Sequence, residues 1–560
     1  MEGKDRIVDI WNKLLDRRSK SGFAIRLKGA AYVKHRCSYE GTLVPDMKIH
    51  DPTAMDALDT YVDGLVGYVL SQNSRWFSLM PTGGENGYMG FGDVLDNDSY
   101  VKMASVITDC VENIMTRSGM YPVVKEVVKD GEVLGDGYLA VDMLEDGGVG
   151  FRCLDPQQCV FMADMYGNMN LFMRKFKMNS VELSLEYGVE ISDAEYSEFG
   201  DVYDVYEMVA DEKVLSKLKM SVDASDGRRY KRCVYVERLS RVVEESSYAE
   251  MPVFRYTSNN ECSGSGYGVG LVGKYVEQVA TCDDSRFRLQ NCVQKTVDPP
   301  AIAHTSLRSN YSTKPKAVMF TGDLSTQGVK YLGTEHAANA LNAVLMVVQD
   351  DRAQIRQLFD ADLFKNIMSN ADTRKTAYEV SEIKNESYTL LSMKIGGMLN
   401  TFIAPFVKRI AKIAVRQELA KVEGAGVQAL ERFIDQCDVM LDSVFVQRLS
   451  RYMDSQGISS GAQIMAAFAE LSQTSVSEVV DVDKAVRGGL MAVGFPQYAI
   501  RTSQEIKQIR DAEKKAAEEA RQAQLSEIKA KALSNTGRGM QAMNSSGIDI
   551  ASAMGGGQGQ

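Results

Sequence analysis

Hydrophobic positions recur at helical spacing in several segments of the chain. The pattern predicts amphipathic helices over residues 5–19, 53–70 and 99–118. A longer helix is predicted to begin near Val269 and to end before Pro299 and Pro300, because proline removes a backbone donor and crowds the preceding turn. Its apolar positions are Leu271, Tyr275, Val279, Cys282, Leu289 and Val293. At 1.5 Å per residue this helix is about 40 Å long, which indicates a strut rather than an ordinary globular helix.

The second half of the chain is predicted to be largely helical. A second strut covers residues 336–359, and a longer helix covers residues 376–423. That longer helix is expected to kink between the Gly396–Gly397 pair and Pro405, since glycine weakens a helix and proline removes one of its hydrogen bonds. Residues 427–501 are predicted to be helical with short loops. A highly charged helix follows over residues 502–531, and a low-complexity tail ends the chain.

Alternating apolar and polar residues predict strands in the first half of the chain. Between Val123 and Arg238 the pattern is that of strands separated by acidic or glycine-containing turns. Short apolar and aromatic segments at residues 76–80 and 252–256 predict two further strands. A mixed α/β first half therefore precedes a mostly helical second half.

Composition and charge restrict the classes of function. The chain has 560 residues, of which 44% are hydrophobic, so it can bury a large core and is expected to form more than one domain. Its net charge of −11 argues against tight binding of nucleic acid over a broad surface, since such binding neutralises phosphates. It does not exclude a channel through which DNA slides. The sequence has no apolar run long enough to span a bilayer and no signal-peptide core, which predicts an intracellular, soluble product.

Candidate catalytic and metal-binding patterns are absent from the sequence. The nine cysteines contain no C-x-x-C pair and the chain has only four histidines, so the prediction is reduced, buried thiols rather than zinc sites or disulfides. No Ser/His/Asp or Cys/His arrangement stands out. We therefore expect a structural protein with no cofactor, no bound metal and no catalytic residues.

One glycine-rich segment resembles nucleotide-binding motifs. Gly268 to Gly273 fits G-x-G-x-x-G, and Lys274 stands where a P-loop has its lysine, but Tyr275 replaces the Ser or Thr that binds Mg²⁺. About ten small or polar residues also separate the preceding strand from the glycines, whereas phosphate-binding loops follow their strand directly. The favoured interpretation is a tight turn with close helix packing, and a packaging ATPase using this segment remains the alternative.

An ordered set of short motifs resembles the head-to-tail connector, or portal, family of short-tailed bacteriophages. The central one is a strand, a Tyr-Gly turn, a long helix and a Pro-Pro exit, carried by Arg255, Tyr267, Gly268, Pro299 and Pro300. The others are an Asp-x-Thr-Ala helix start at residues 51–54 followed by Trp76 and Phe77, the segment 135–139, Asp164-x-x-Gly167 with Arg174, and the segment 376–410. The likeness extends over about residues 5–515.

The resemblance implies an α+β portal fold with defined segments. These are an α/β wing (1–266), a first stem helix (267–298), a strand-bearing clip (299–334), a second stem helix (335–358), a tunnel loop (359–375), a kinked wing helix (376–424), an all-helical crown (425–501), a C-terminal barrel helix (502–535) and a disordered tail (536–560). In the clip, Arg308, Lys314, Lys316 and Lys330 are expected to face the tail adaptor. In the tunnel loop, Lys365, Arg374 and Lys375 are expected to face DNA.

The resemblance also implies the partners. Copies of the chain are expected to form a ring, dodecameric by analogy, at one vertex of the virion after synthesis in the host cytoplasm. The expected partners are the major capsid and scaffolding proteins, the large terminase subunit, the tail adaptor and the double-stranded DNA that passes through the channel, with no membrane. A capsid or tail protein of different symmetry is a further alternative.

Overall fold

The computed structural model of the chain describes residues 4–37, 43–72, 75–81, 97–144, 147–189, 202–220, 228–258, 266–297, 301–303, 329–331, 337–362, 395–419, 426–441, 515 and 521–531. Helices and strands are mixed along these residues, which confirms the predicted α+β class. The chain divides into two compact units, residues 1–449 and residues 450–560.

Five helices precede the main sheets of the first unit, and three of them were predicted within two residues at each end. Their bounds are Lys4–Lys20 (α1), Phe23–Tyr32 (α2), Thr53–Val69 (α3), Asn97–Arg117 (α4) and Met120–Leu134 (α5). Helix α5 corrects the prediction that strands begin at Val123. Its valines favour strands by propensity, but Val124, Val127 and Val128 repeat at helical spacing and are all buried, so packing on one face overrides that preference.

The predicted run of strands forms two antiparallel sheets. The larger has the order β4-β5-β6-β7-β8, with strands Cys159–Ala163, Met169–Asn179, Val202–Asp211, Tyr230–Val236 and Arg241–Tyr248. The smaller has the order β3-β2-β9, with β2 at Asp136–Met143, β3 at Val149–Leu154 and β9 at Val253–Thr257. Short helices α6 (Ser180–Tyr187) and α7 (Glu212–Lys217) follow β5 and β6. Strand β2 runs along both β3 and β9, so it is the centre of its sheet.

The two long helices pack against each other in opposite directions. After one helical turn at Leu271–Lys274 (α8), helix α9 covers Val276–Val297, and α10 covers Ala337–Leu358. The start of α9 lies beside the end of α10, where Thr281 and Gln354 border the same cavity. Their other ends lead to strands Ala301–Ala303 (β10) and Val329–Tyr331 (β11), which pair antiparallel. The first long helix was predicted to run unbroken from about Val269, and the interruption at Tyr275 corrects that prediction.

A π-helical segment lies where a kink between Gly396 and Pro405 was predicted. Residues 395–398 are α-helical, Leu399–Ile403 form a π-helical segment, and α11 continues over Ala404–Leu419. A π-helical segment widens a helix by one residue per turn, and here it precedes the proline that cannot donate a backbone hydrogen bond. Residues 376–394 of this predicted helix lie outside the described residues.

The segment after Gly424 corrects the prediction of an all-helical crown from residue 425. Helix α12 covers Gly426–Gln436, but strand β12 follows at Cys437–Leu441 and pairs antiparallel with β1 (Phe77–Pro81). Along β12, Cys437 and Val439 are buried while Asp438 and Met440 are exposed. This period-two pattern is that of a strand with one face on the core, and it belongs to the first unit.

One large core joins most of these elements. It contains buried side chains from α3, α4 and α5, from strands β1 and β2, from α9 and α10, and from α11 and α12. Smaller clusters lie between α1 and the five-stranded sheet and between the two sheets. In the second unit, residues 521–531 form a helix whose side chains are all exposed, within the charged helix that was predicted. No described helix is long and apolar enough to cross a membrane.

Candidate functional site at the base of the long helices

The turn that leads into the long helices lies directly against the end of helix α5. Gly135 ends α5 with φ +93°, a backbone conformation that favours glycine. A side chain added at Gly268 would place its Cβ 2.3 Å from both the Gly135 carbonyl oxygen and Thr257 Oγ1. The two backbones therefore touch at this point, and only glycine fits there.

A buried ion pair fixes the same turn to the central strand of the smaller sheet. The carboxylate of Asp136, at the start of β2, accepts hydrogen bonds from Arg255 Nε at 2.7 Å and from the backbone N–H of Gly268 at 3.1 Å. Arg255 also donates to the carbonyl oxygen of Gly266 at 2.6 Å and stacks over the Phe161 ring. Burial lowers the pKa of Arg255, but the Asp136 carboxylate outweighs that effect and raises it. Because both partners are nearly buried, loss of either leaves an uncompensated charge.

Tyr267 completes this junction. Its ring is buried and packs edge-on against Phe161 at 4.6 Å between centroids. Burial raises the pKa of its hydroxyl, whose oxygen accepts a long hydrogen bond from the backbone N–H of Phe161 at 3.4 Å. Arg255, Tyr267 and Gly268, which the sequence placed in one motif, thus come together in space.

The glycine-rich segment has no room for a phosphate at the glycines that would cradle one. A Cβ at Gly270 would already lie 2.7 Å from the Glu132 carbonyl oxygen, and the N–H of Gly268 is held by the Asp136 carboxylate. A P-loop binds phosphate through free backbone N–H groups. The site where an anion would sit is filled by the protein's own groups, so the geometry gives the nucleotide-binding alternative no support.

A second junction ties both long helices to the start of α3. The carboxylate of Asp283, on α9, accepts hydrogen bonds from the backbone N–H groups of His50 and Asp51 at 2.6 and 3.0 Å. Asp51 accepts from Thr53 N at 2.9 Å and from Nε of Arg352, on α10, at 2.8 Å. Burial raises the pKa of Asp51, but the hydrogen bonds from Thr53 and Arg352 outweigh it and lower the pKa. The Asp-x-Thr-Ala motif is therefore the point at which three helices meet.

A third polar cluster lies between α2 and α5. The fully buried carboxylate of Asp130 receives His35 Nε2 at 2.7 Å and two nitrogens of Arg36 at 2.9 and 2.6 Å. The thiol of Cys153 also donates to it at 3.2 Å. Burial alone raises the pKa of Asp130, but His35 and Arg36 reverse that effect and hold it below its usual range. The cluster fixes the turn after α2, where Lys34 and Arg36 adopt positive φ angles.

The remaining predicted residues fall into two groups. Trp76 and Phe77 are buried in the large core with their rings 4.6 Å apart, and Trp76 Nε1 donates to the Tyr121 hydroxyl at 3.3 Å. Lys330 lies in β11 opposite Ile302. The others lie outside the described residues: Pro299, Pro300, Arg308, Lys314, Lys316, Lys365, Arg374 and Lys375.

Sequence reasoning missed the acidic residues that organise both junctions. Asp283 and Arg352 are polar residues on the buried sides of the long helices, half-buried among apolar neighbours. Such an interruption of an apolar stripe is the signal that indicates a buried partner. Asp136 stands between two glycines at a helix-to-strand boundary, but nothing in the sequence pairs it with Arg255. Among the described residues no group of three or more His, Cys, Asp or Glu side chains is arranged to bind a metal.

The chain matches the family model described as bacteriophage head to tail connecting protein over residues 36–500. The chain belongs to this family. The match covers both junctions, both sheets and both long helices. No curated protein matches the sequence significantly.

Membership of the connector family confirms the resemblance to bacteriophage head-to-tail connectors. The connector joins the head of a bacteriophage to its tail, so a portal or connector function, a place in the virion, and partners in the head and the tail follow. The family is a structural one, and the packaging ATPase is not supported. The first junction holds the turn before the long helices onto the smaller sheet, and the second ties both long helices to α3.

Proposed function

We propose that twelve copies of this connector subunit form a closed ring whose central channel carries double-stranded DNA during packaging and ejection. In this proposal α9 and α10 are the stem helices, the β10–β11 module is the clip, and the sheets form the wing. The terminase would dock on the ring during packaging, and the tail adaptor would replace it. Ring proteins of this kind have heterologous interfaces, in which one face of a subunit contacts a different face of the next.

The exposure of apolar side chains around α10 supports this proposal. Val348 and Ile355 point into the core, while Leu345, Met346 and Val347 are 41%, 72% and 53% exposed. Leu345 and Val347 are two positions apart, which places them roughly 160° apart around the helix. A single two-fold partner covers one side of a helix, whereas a ring places a neighbour on each side. Phe287, Val293 and Val297 on α9 are also exposed.

Mass photometry of the purified protein tests the ring directly. With a chain mass of 61.9 kDa, twelve copies weigh roughly 740 kDa. Leu345→Lys and Val347→Lys should each lower the ring fraction, because each places a charge in one of the two apolar interfaces. Met165→Lys is the control, since Met165 is 97% exposed on the turn between β4 and β5, away from the long helices. A wild-type protein that stays monomeric or dimeric at assembly concentrations would contradict the proposal.

We further propose that Lys365, Arg374 and Lys375 meet the DNA backbone in the channel. Positive side chains on a loop between two long helices can contact phosphates, and the acids of the same segment, such as Asp362 and Asp372, keep that contact weak. Reversal of the three charges should leave rings intact but reduce packaging or retention of DNA, with an altered salt dependence. A variant that packages DNA normally at every ionic strength would contradict this assignment. Ring formation is measured in the same sample, so that a loss of packaging is not confused with a loss of assembly.

The clip residues are proposed to contact the tail adaptor. Arg308, Lys314, Lys316 and Lys330 give the segment a local positive charge, which suits an acidic partner surface. Replacement of all four by glutamate should abolish binding of the adaptor in a pull-down while rings still form. Normal adaptor binding by that variant would contradict the proposal.

A further inference from the structure

A polar groove follows the seam between the two long helices near their wing end. Its upper part has a volume of about 140 Å³ and is lined by Glu277, Thr281, Asp351 and Gln354. Its lower part is lined by Lys274, Tyr275, Gln354 and Leu358. The two parts share Gln354, so they form one continuous groove along one side of α10.

One carboxylate oxygen in this groove has no partner. Asp351 Oδ2 is buried and accepts no hydrogen bond from any described residue. The other acid of the groove, Glu277, has Lys28 at 3.8 Å, and both of these side chains are about half exposed or more. An unsatisfied buried carboxylate oxygen costs free energy unless a donor reaches it. Among the described residues of the subunit, none donates a hydrogen bond to this oxygen.

The opposite side of α10 carries an exposed guanidinium group. Arg356 is exposed, and no described residue forms an ion pair with it. It is five positions from Asp351, which puts the two side chains roughly 140° apart around the helix. They cannot meet within one subunit. Arg356 shares its side of α10 with the exposed Leu345, eleven positions away, and Asp351 shares its side with the exposed Val347.

We propose that Arg356 of one subunit inserts into the groove of the next subunit and donates hydrogen bonds to Asp351, with Glu277 as the second acid. The inference rests on the ring proposed above and names the charged contact that its interface contains. A rotation about the ring axis keeps each residue at the same height in every copy. Asp351 and Arg356 differ in height by about 7.5 Å along the helix, a gap that an extended arginine side chain covers. Charge complementarity of this kind also fixes the direction of a heterologous interface.

Charge reversal at both positions tests the contact by mass photometry across a concentration series. Asp351→Arg and Arg356→Glu should each raise the concentration needed for half assembly at least about tenfold, since each leaves a like-charge pair at the interface. The double variant should recover most of that loss. Asp9→Arg is the control, because Asp9 is an exposed acid on α1, outside the two long helices, and this variant should assemble as wild type. The isosteric Asp351→Asn and Arg356→Gln replace the reversals if either reversed variant unfolds by circular dichroism.

A cysteine pair gives an independent readout. A variant with Asp351→Cys and Arg356→Cys should form a ladder of linked subunits with a bis-maleimide crosslinker about 10 Å long, since the gap is too wide for a disulfide, while the two single variants should not. If wild-type rings form but both single charge variants assemble normally, or the double-cysteine variant gives no ladder, the contact is wrong and the groove holds only water. If no wild-type ring forms at all, the proposed function itself fails.

Discussion

At the scale of single residues, Gly268 carries the closest backbone contact at the base of the long helices. Gly268→Ala would place a Cβ 2.3 Å from the Gly135 carbonyl oxygen, well inside van der Waals contact, and this oxygen belongs to backbone that cannot rotate away. We expect the substitution to lower the free energy of unfolding of the first unit by about 3 kcal/mol. Urea unfolding followed by circular dichroism measures the change.

Gly67 provides the control for that prediction. It lies in α3 with nothing within 4 Å of an added Cβ, so Gly67→Ala should stabilise the helix by about 0.5–1 kcal/mol. Equal effects of the two substitutions would show that the contact between the Gly268 turn and the end of α5 is not close.

Asp130 is the residue whose charge state should matter most in acid. Its folded pKa is lowered from an ordinary value of 3.8, so its contribution to stability is complete above about pH 4 and is lost as the pH falls through the folded pKa. Asp130→Asn should lower the free energy of unfolding at pH 7 by about 3 kcal/mol, because His35 and Arg36 lose their buried acceptor charge. The difference from wild type should shrink below about pH 4.

Urea unfolding at several pH values from 7 to 3 checks the Asp130 prediction. The matched control is Asp59→Asn, since Asp59 pairs with Lys129 at an exposed position and such pairs contribute less than about 1 kcal/mol. A difference between wild type and Asp130→Asn that stays constant down to pH 3 would mean that Asp130 is not held ionised by its partners.

At the scale of elements, the Asp-x-Thr-Ala motif links three helices through Asp51. A double-mutant cycle with Asp51→Ala and Arg352→Leu should show a coupling free energy of about 1–3 kcal/mol, since Asp51 is 2% exposed and its carboxylate satisfies the Arg352 donor. The pair Asp284 and Arg288 on α9 is the control. It is exposed and four positions apart, so its coupling should be no more than about 0.5 kcal/mol. Equal coupling in the two cycles would contradict a structural role for Asp51.

Elements whose hydrophobic period is regular could be predicted from the sequence. Helices α1, α3, α4 and α10 begin and end within about two residues of their predicted bounds, because their apolar stripes are regular. Most of the strands in the five-stranded sheet were also found, since each is rich in apolar and aromatic residues. A kink was expected between Gly396–Gly397 and Pro405, which weaken a helix by known mechanisms, and a π-helical segment lies there.

Elements decided by distant contacts could not be predicted. Strand β12 pairs with β1 across about 360 positions of sequence, and no local pattern in Cys437–Leu441 identifies that partner. Helix α5 is rich in valine, so residue propensity favours a strand there. Only the burial of one helical face shows that the segment is a helix. The same limit holds for the junctions: Arg255 was singled out by resemblance, but Asp136 and Asp283 became visible only when the elements were placed in space.

At the scale of the whole molecule, the boundary between the two units lies after Leu449 rather than at Gly424, where the glycines suggested it. Helix α12 and strand β12 belong to the first unit: Arg416 on α11 donates to Glu431 on α12, and β12 completes the two-stranded sheet with β1. The first unit therefore needs residues 426–441 to close its core, and it contains both proposed stem helices.

Truncation after residue 449 or after residue 424 tests which of the two positions is the boundary of the first unit. A chain that ends at residue 449 should fold with a first-unit melting temperature within a few degrees of the full chain, because it keeps every element of that core. It should also form rings, since α9 and α10 are intact. A chain that ends at residue 424 loses α12 and β12, which exposes Phe77 and the edge of β1. It also loses Glu431, which accepts the hydrogen bond from Arg416. We expect it to melt at least about 10 °C lower, which corresponds to several kcal/mol, or to aggregate through the exposed strand edge.

Circular dichroism melting and mass photometry of both truncations measure the outcome. If the shorter chain is as stable as the longer one, then the pairing of β1 with β12 does not contribute to the first unit, and the glycines at 424 and 426 mark the true boundary.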